Sequence, residues 1–430
     1  MKKVIVIGVI ALSVIMSFNS ISGIQINENI IKSSSRGNIL YVGGSGEGNY
    51  SSIQDAIDNA SDGDTIYVYN DSSPYYENLK VNKSINLVGE DKNTTVIDGG
   101  GIKHVIYVSA NMVNVSRFTI RNGNENGIHI SHSNYNTILG NTISNNGYGI
   151  NYGWSTGNNI ISNDISNNWL GVWGDGNKHN IIGNNISLNK QCGIRLFEGE
   201  ENSILNNTIS MNEGIGIDFG EADLDFSFQI EHSTVSGNDI CYNGGSSLYL
   251  LCSSHNKIFN NYILGNEYGL KLEACYDVVE TSMEPGYSND NIIYLNNITS
   301  NDYGIYCSSY CKKNLICYNN FKENTKNAKI VGSNICFDPT REKGNYWDDY
   351  KGEDNDGDGI GDTPHIINMR NRDNYPFMEP IDFDNITNAF DLSITFTVTM
   401  CQYKATNNIL LLRLLEWFPL LERLYYLFRI

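Results

Sequence analysis

NTILGNTISNNGYGINYGWSTGNNIISNDISNNWLGVW, residues 136–173, states one pattern and then states it again. Asn136, Ile138, Asn141, Ile143, Gly149 and Ile150 return 22 residues later as Asn158, Ile160, Asn163, Ile165, Gly171 and Val172. Followed in both directions, the pattern runs from Val115 to Val331; its Gly recurs at 127, 149, 171, 193 and 216, gives way to Ser247, and returns at 269 and 304. Two Ile-dominated columns lie upstream of each Gly and a third follows it, so each repeat holds three short apolar runs, read as three short strands. A leucine-rich repeat has a similar period, but it needs several Leu at fixed offsets and a helical arc. Here the columns are Ile, separated by Asn, Gly and Ser that disfavour helix. Strands that each pair with their equivalent one turn on bury the columns in an unbroken stack, at about 4.8 Å per layer. The fold class is therefore all-β: a single-stranded parallel β-helix of about 22 residues per coil. Asn recurs at two turns, as at 136 and 158 or at 141 and 163. Stacked amides can hydrogen-bond along such a ladder, and Asn and Gly tolerate left-handed turn backbone.

Upstream, residues 1–23 combine Lys2 and Lys3, an apolar run from Val4 to Phe18, and small residues ending at Gly23. These are the three parts of a signal peptide; an uncleaved anchor is the alternative. Residues 38–108 are read as an N-terminal cap and first coils. In YSSIQDAIDNA, Ile53, Ala56, Ile57 and Ala60 fall on one face of a short helix that Ser51 or Ser52 caps. Such a helix plugs the open end of a coil stack, which would otherwise present apolar side chains and strand edges. The repeats proper occupy 109–335 and a closing segment 336–383. The net charge of −19, from 48 acidic and 29 basic residues, argues against nucleic acid and suits an exported surface protein.

Two repeats are long, with 31 residues between Gly216 and Ser247 and 35 between Gly269 and Gly304. Both insertions enter at one corner, and the first carries Glu221, Asp223 and Asp225. The outward position two residues after each Gly forms a strip that includes His129, Trp173, Arg195, Asp218, Tyr249, Lys271 and Tyr306. Aromatic rings and ions in a row suit a polysaccharide, with Trp173, Arg195, Asp218, Tyr249 and Lys271 as ligand-binding candidates. The plain alternative is a solvated sheet face on which Trp173 stacks on Arg195 and Arg195 pairs with Asp218. Sugar hydrolysis needs two carboxylates, for which Asp218 and the acidic insertion are candidates; a lyase needs a cation near a uronate, for which Arg195 and Lys271 are. Of the seven His, only His129 and His132 lie close enough in the chain to suggest a metal site. Nine Cys in an exported chain permit disulfides. Cys252 and Cys275 lie about one coil apart, and Cys307, Cys311, Cys317 and Cys336 cluster as two bridges or a metal site.

The closing segment contains D-x-D-x-D-G-x-x-D at Asp354, Asp356, Asp358, Gly359 and Asp362. Oxygen ligands at alternating positions around a Gly turn read as a structural calcium loop, closer to thrombospondin type 3 repeats than to an EF-hand, since position twelve is His365. The cap, the N-x-I and GI repeats, and the ending NYWDDY…DGDGIGDTP…DNYPFMEP together resemble the NosD-type right-handed parallel β-helix proteins, archaeal surface members included, over residues 38–382. The resemblance implies a right-handed, pectin-lyase-like fold and, from the family name, copper handling linked to nitrous oxide reductase maturation. It also implies kinship with carbohydrate-binding proteins and sugar hydrolases. Residues 384–408 read as a linker and 409–430 as an amphipathic tail that lies on a membrane or partner, or folds back on the stack. The expectation is a secreted, cell-surface protein that binds polysaccharide or envelope glycan and is braced by calcium. Polysaccharide-active enzyme and copper accessory protein are the alternatives.

Overall fold

The computed structural model describes residues 37–222, 227–275 and 286–383. Ser34–Ile381 form one compact unit; the other unit, Met1–Ser33 with Asp382–Ile430, lies almost wholly outside the described residues, as do the expected signal peptide, linker and tail.

Each coil contributes one strand to each of three parallel sheets of 12, 12 and 11 strands. In the coil of residues 136–156, Thr137–Leu139 lies in the first sheet, Thr142–Ser144 in the second and Tyr148–Thr156 in the third. The register is the one the columns dictate. Ile138 pairs with Val115 and Ile160, Ile143 with Ile120 and Ile165, and Ile150 with Ile128 and Val172. All nine side chains are fully buried and belong to one continuous core. At roughly 1.5–3 kcal/mol for each buried aliphatic side chain, this stack supplies most of the drive to fold.

The corners are held by buried amides. Asn163 donates Nδ2–H to Asn184 Oδ1 at 3.0 Å and to the Ile138 carbonyl at 2.9 Å, while its backbone N–H reaches the same Asn184 oxygen at 2.9 Å. Each Asn thus ties three coils together. Successive ladder residues are 21 to 23 apart in the regular coils and 31 or 35 apart across the insertions, so the insertions loop out without breaking the ladder. A third ladder, running through Asn146, Asn168, Asn189 and Asn212, closes the corner between the second and third sheets. The ladder that passes through Asn319 and Asn345 ends on Asp373, whose Oδ2 accepts from Asn345 N at 2.6 Å and Trp347 Nε1 at 2.9 Å. A carboxylate only accepts, which suits a terminal position with no further coil to donate to.

The repeated Gly answers a steric demand. A Cβ at Gly171 would lie 2.4 Å from the Gly193 carbonyl oxygen, and one at Gly149 would lie 2.6 Å from that of Gly171. At Ser247 the column carries a side chain, and its hydroxyl is buried with no hydrogen-bond partner.

Both ends are closed. Helix α1 (Ile53–Asn59) begins at Ser52, whose hydroxyl accepts from Asp55 N, and buries Ile53, Ala56 and Ile57 over the first coil. At the other end Trp347 stacks on Phe321 at 4.3 Å, and His365 stacks on Trp347 at 4.9 Å.

Candidate functional site

The third sheet carries the expected strip. Strand alternation sends Ile194 and Leu196 inward and Arg195 outward, and the same holds coil after coil. His129, Asn151, Trp173, Arg195, Asp218, Tyr249, Lys271 and Tyr306 are consecutive register partners, and Tyr107 and Lys329 extend the row at its two ends.

Two of the row's cations, Arg195 and Lys271, have carboxylate partners. Arg195 Nε donates to Asp218 Oδ2 at 2.7 Å, and Asp218 is only 4 % exposed. Cys192 closes this cluster, accepting from Arg195 Nη2 at 3.5 Å; burial, then the Asp218 charge, pushes its thiol up to about 11, so it stays protonated. Asp218 is thus committed to positioning Arg195. Trp173 lies among Tyr148 and Phe197, at 6.5 and 5.9 Å between ring centres.

One coil on, Tyr249 donates its hydroxyl to Glu273 Oε2 at 2.6 Å, and Lys271 Nζ stands 3.1 Å from the same oxygen. Burial first, then the bond to Glu273, holds the Tyr249 phenol far above its ordinary range, so it is a neutral donor. Lys271 also lies over the Tyr249 ring at 4.9 Å and the Tyr268 ring at 5.3 Å, and Lys329 lies over Tyr306 at 5.1 Å.

Beside the strip stands a carboxyl group that the sequence reading passed over. Asp175 lies two residues beyond Trp173 and accepts from Trp154 N at 2.5 Å. Burial, with the neighbouring Glu198 charge, moves it above the usual carboxylate range against the pull of that hydrogen bond. Its place is that of Phe197 and Glu273 in later coils, so the coil register was the available signal. Asp223 and Asp225 of the first insertion lie outside the described residues.

The acidic loop also forms. Asp354, Asp356 and Asp358 bring carboxylate oxygens within 4.8 Å of one another. Asp354 accepts from the N–H groups of Gly359, Gly357 and Asp358 at 2.9, 2.7 and 3.2 Å, and these bonds, Gly359 first, hold it below the usual carboxylate range. Asp362 stands apart, its Oδ2 accepting from Asn355 N and Nδ2. The loop is anchored by buried Ile360, which bridges to Phe377.

The histidine and late cysteine clusters differ from expectation. His129 and His132 face different neighbours: His129 lies tilted against His104 at 4.7 Å and is pushed down to about 4 by burial, whereas His132 stacks on Trp154 at 6.0 Å. The structure instead brings together His232 and His255, one coil apart. Cys252 and Cys275 are disulfide-bonded, as their spacing suggested. Cys307, Cys311, Cys317 and Cys336 are buried, and among the described residues they form neither disulfides nor a metal cluster. They fill core and corner positions, where burial holds the thiols of Cys307, Cys317 and Cys336 protonated.

Among solved structures, the A-modules of the mannuronan C-5 epimerases AlgE6 and AlgE4 from Azotobacter vinelandii superpose with a TM-score of 0.51 each. Identity is 14 % and 15 %, over 66 % of this chain and 92 % and 94 % of theirs, a likeness of fold. No curated protein sequence matches the chain. The sequence profile of the family described as "Periplasmic copper-binding protein (NosD)" matches residues 57–280 and 281–352, which take in nearly the whole coil stack. The chain belongs to the NosD family.

Proposed function

We propose that the protein is an exported polysaccharide-binding β-helix protein, with an extended glycan lying along the third-sheet strip and calcium bracing the last coils. The observation that carries this reading is the row itself. Trp173, Arg195, Asp218, Tyr249, Lys271 and Tyr306 stand in strict register at about 4.8 Å per coil, close to the length of one sugar unit in an extended chain. Half-buried rings offer apolar faces to sugar rings, and cations offer hydrogen bonds to hydroxyls and carboxylates. Arg195 and Lys271, paired with Asp218 and Glu273, and Lys329 over Tyr306 still supply N–H donors along the row, which suits an acidic glycan. Export is supported by the composition of residues 1–23 and by the Cys252–Cys275 disulfide, which suits an oxidising compartment.

The test is affinity electrophoresis through gels containing acidic or neutral polysaccharides, with calcium present and polymer chain length followed in parallel. The expected result is retardation by a polyuronate without shortening, and a loss of about tenfold in affinity, about 1.4 kcal/mol, in Trp173→Ala or Lys271→Ala. No retardation by any polymer overturns the reading. A second reading, polysaccharide cleavage, is favoured by Asp175, a carboxyl moved toward the protonated form beside the strip. Shortening of the polymer that disappears in Asp175→Asn would replace binding by catalysis.

A further inference from the structure

We propose that Glu231, His232 and His255 form a binding site for a divalent transition-metal ion of the Cu2+ or Zn2+ type. Their ligand atoms all lie within 4.8 Å of one another. The two imidazoles stack at 5.0 Å with 23° between their planes, and His255 Nδ1 is 3.9 Å from Glu231 Oε1.

The coil register builds this cluster. His232 and His255 occupy the same left-handed corner in successive coils, with φ of 50° and 60°, each directly before a ladder residue, Ser233 and Asn256. The corner is rigid: Ser233 N donates to Asn256 Oδ1 at 2.9 Å, Ser233 Oγ donates to the Glu231 carbonyl at 3.0 Å, and His255 N donates to the Asn289 carbonyl at 3.1 Å. Ligands fixed on such a scaffold lose little freedom when a cation arrives.

Charge points the same way. The corner column reads Glu201, His232, His255, Asp290 through four coils, so carboxylates flank the imidazoles on both sides. Lys178 pairs with Glu201 at 3.6 Å, one coil further back. Two imidazoles and a carboxylate suit Cu2+ or Zn2+ better than Cu+ or calcium. The side chains of His255 and Glu231 are 48 % and 36 % exposed, so an ion can enter from solvent. This donor set also meets the requirements of the copper in the family's description, on residues which that description does not name.

The experiment uses the purified protein, stripped with chelator and then saturated with calcium so that the Asp354 loop is filled. Cu2+ is titrated by calorimetry and followed by electron paramagnetic resonance, with Zn2+ as competitor. One equivalent of Cu2+ coordinated by two nitrogens, and displaced only by excess Zn2+, is expected. His232→Asn and His255→Asn keep a residue that accepts the left-handed corner, and each should weaken binding by more than about tenfold. Their melting in the absence of metal reports whether the fold is intact. Absence of stoichiometric binding to the wild-type protein overturns the proposal, as does unchanged affinity in the folded double variant, which would move the copper to another site such as His104 and His129.

Discussion

Replacing Asn207 by Ala tests whether the amide ladders hold the coils together or merely accompany the apolar stack. Asn207 is 1 % exposed and makes four side-chain hydrogen bonds. Its Oδ1 accepts from Asn184 N at 2.8 Å and Asn184 Nδ2 at 3.0 Å; its Nδ2 donates to the Ile181 carbonyl at 2.9 Å and to Asn238 Oδ1 at 3.0 Å. Alanine leaves the buried Asn184 N–H without an acceptor, at a cost of about 1–3 kcal/mol, and forfeits three further bonds, each worth roughly 0.5–1.5 kcal/mol net. The expected loss is about 4 kcal/mol. Urea unfolding followed by tryptophan fluorescence reads the shift in midpoint, and hydrogen exchange at the Asn184 amide should accelerate well beyond that of amides several coils away. Asn207→Asp sharpens the test. It keeps the accepting oxygen but turns a second acceptor toward Asn238 Oδ1 and the Ile181 carbonyl, so its carboxyl is raised in the fold. Relative to the wild-type protein it should therefore be least destabilised below about pH 4 and progressively more so as pH rises above that value. A cost below about 1 kcal/mol for Asn207→Ala, with unchanged exchange at Asn184, would refute the ladder argument and leave the apolar columns as sole support.

Other outcomes follow from the same packing. His179 takes an Asn place in the ladder, its Nδ1 accepting from Asn158 N at 3.1 Å, and burial pushes it down to about 4. The unfolded chain takes up that proton first, so stability is full above about pH 6.5 and falls by roughly 3 kcal/mol toward pH 4; His179→Asn should flatten this slope in acid unfolding curves. Removing the partnerless Ser247 hydroxyl in Ser247→Ala should raise stability by about 1 kcal/mol, whereas Gly171→Ala should destabilise, because its Cβ would meet the Gly193 oxygen at 2.4 Å. If the Asp354 loop takes calcium, an excess of about 100-fold over the dissociation constant should add about 2.7 kcal/mol to the wild-type protein and nothing to Asp356→Ala/Asp358→Ala. Equal calcium response in both would rule out the loop as the source.

Much was legible before any coordinates because a solenoid converts sequence period directly into contact. Ile138 meets Ile160 because the chain returns after 22 residues, so reading the interval amounts to reading the pairing. The outward row from His129 to Tyr306 was legible for the same reason, as was the bond between Cys252 and Cys275. What stayed hidden were contacts that depend on which way a side chain turns. The adjacency of His129 and His132 in sequence suggested a pair, yet the left-handed backbone of His132, with φ of 51°, turns it toward Trp154. His232 and His255 are distant in sequence and come together through coil register, a signal present in the period but spread over two repeats. Asp175 gave no signal of its own, since burial and a neighbouring charge distinguish it from the other acidic residues.

The sequence by itself therefore determined the coil, its period, its capped start and the face that each repeated residue occupies, because regular backbone pairing leaves a repeating chain little choice. Only the tertiary structure decided the local chemistry. It closed Arg195 onto Asp218 with Cys192 beside them, bent three of the four closing aspartates around one point with Asp362 turned to Asn355, and placed two imidazoles and a carboxylate at one corner. Such outcomes follow from burial, rotamer and distance across coils, quantities that a linear pattern does not carry.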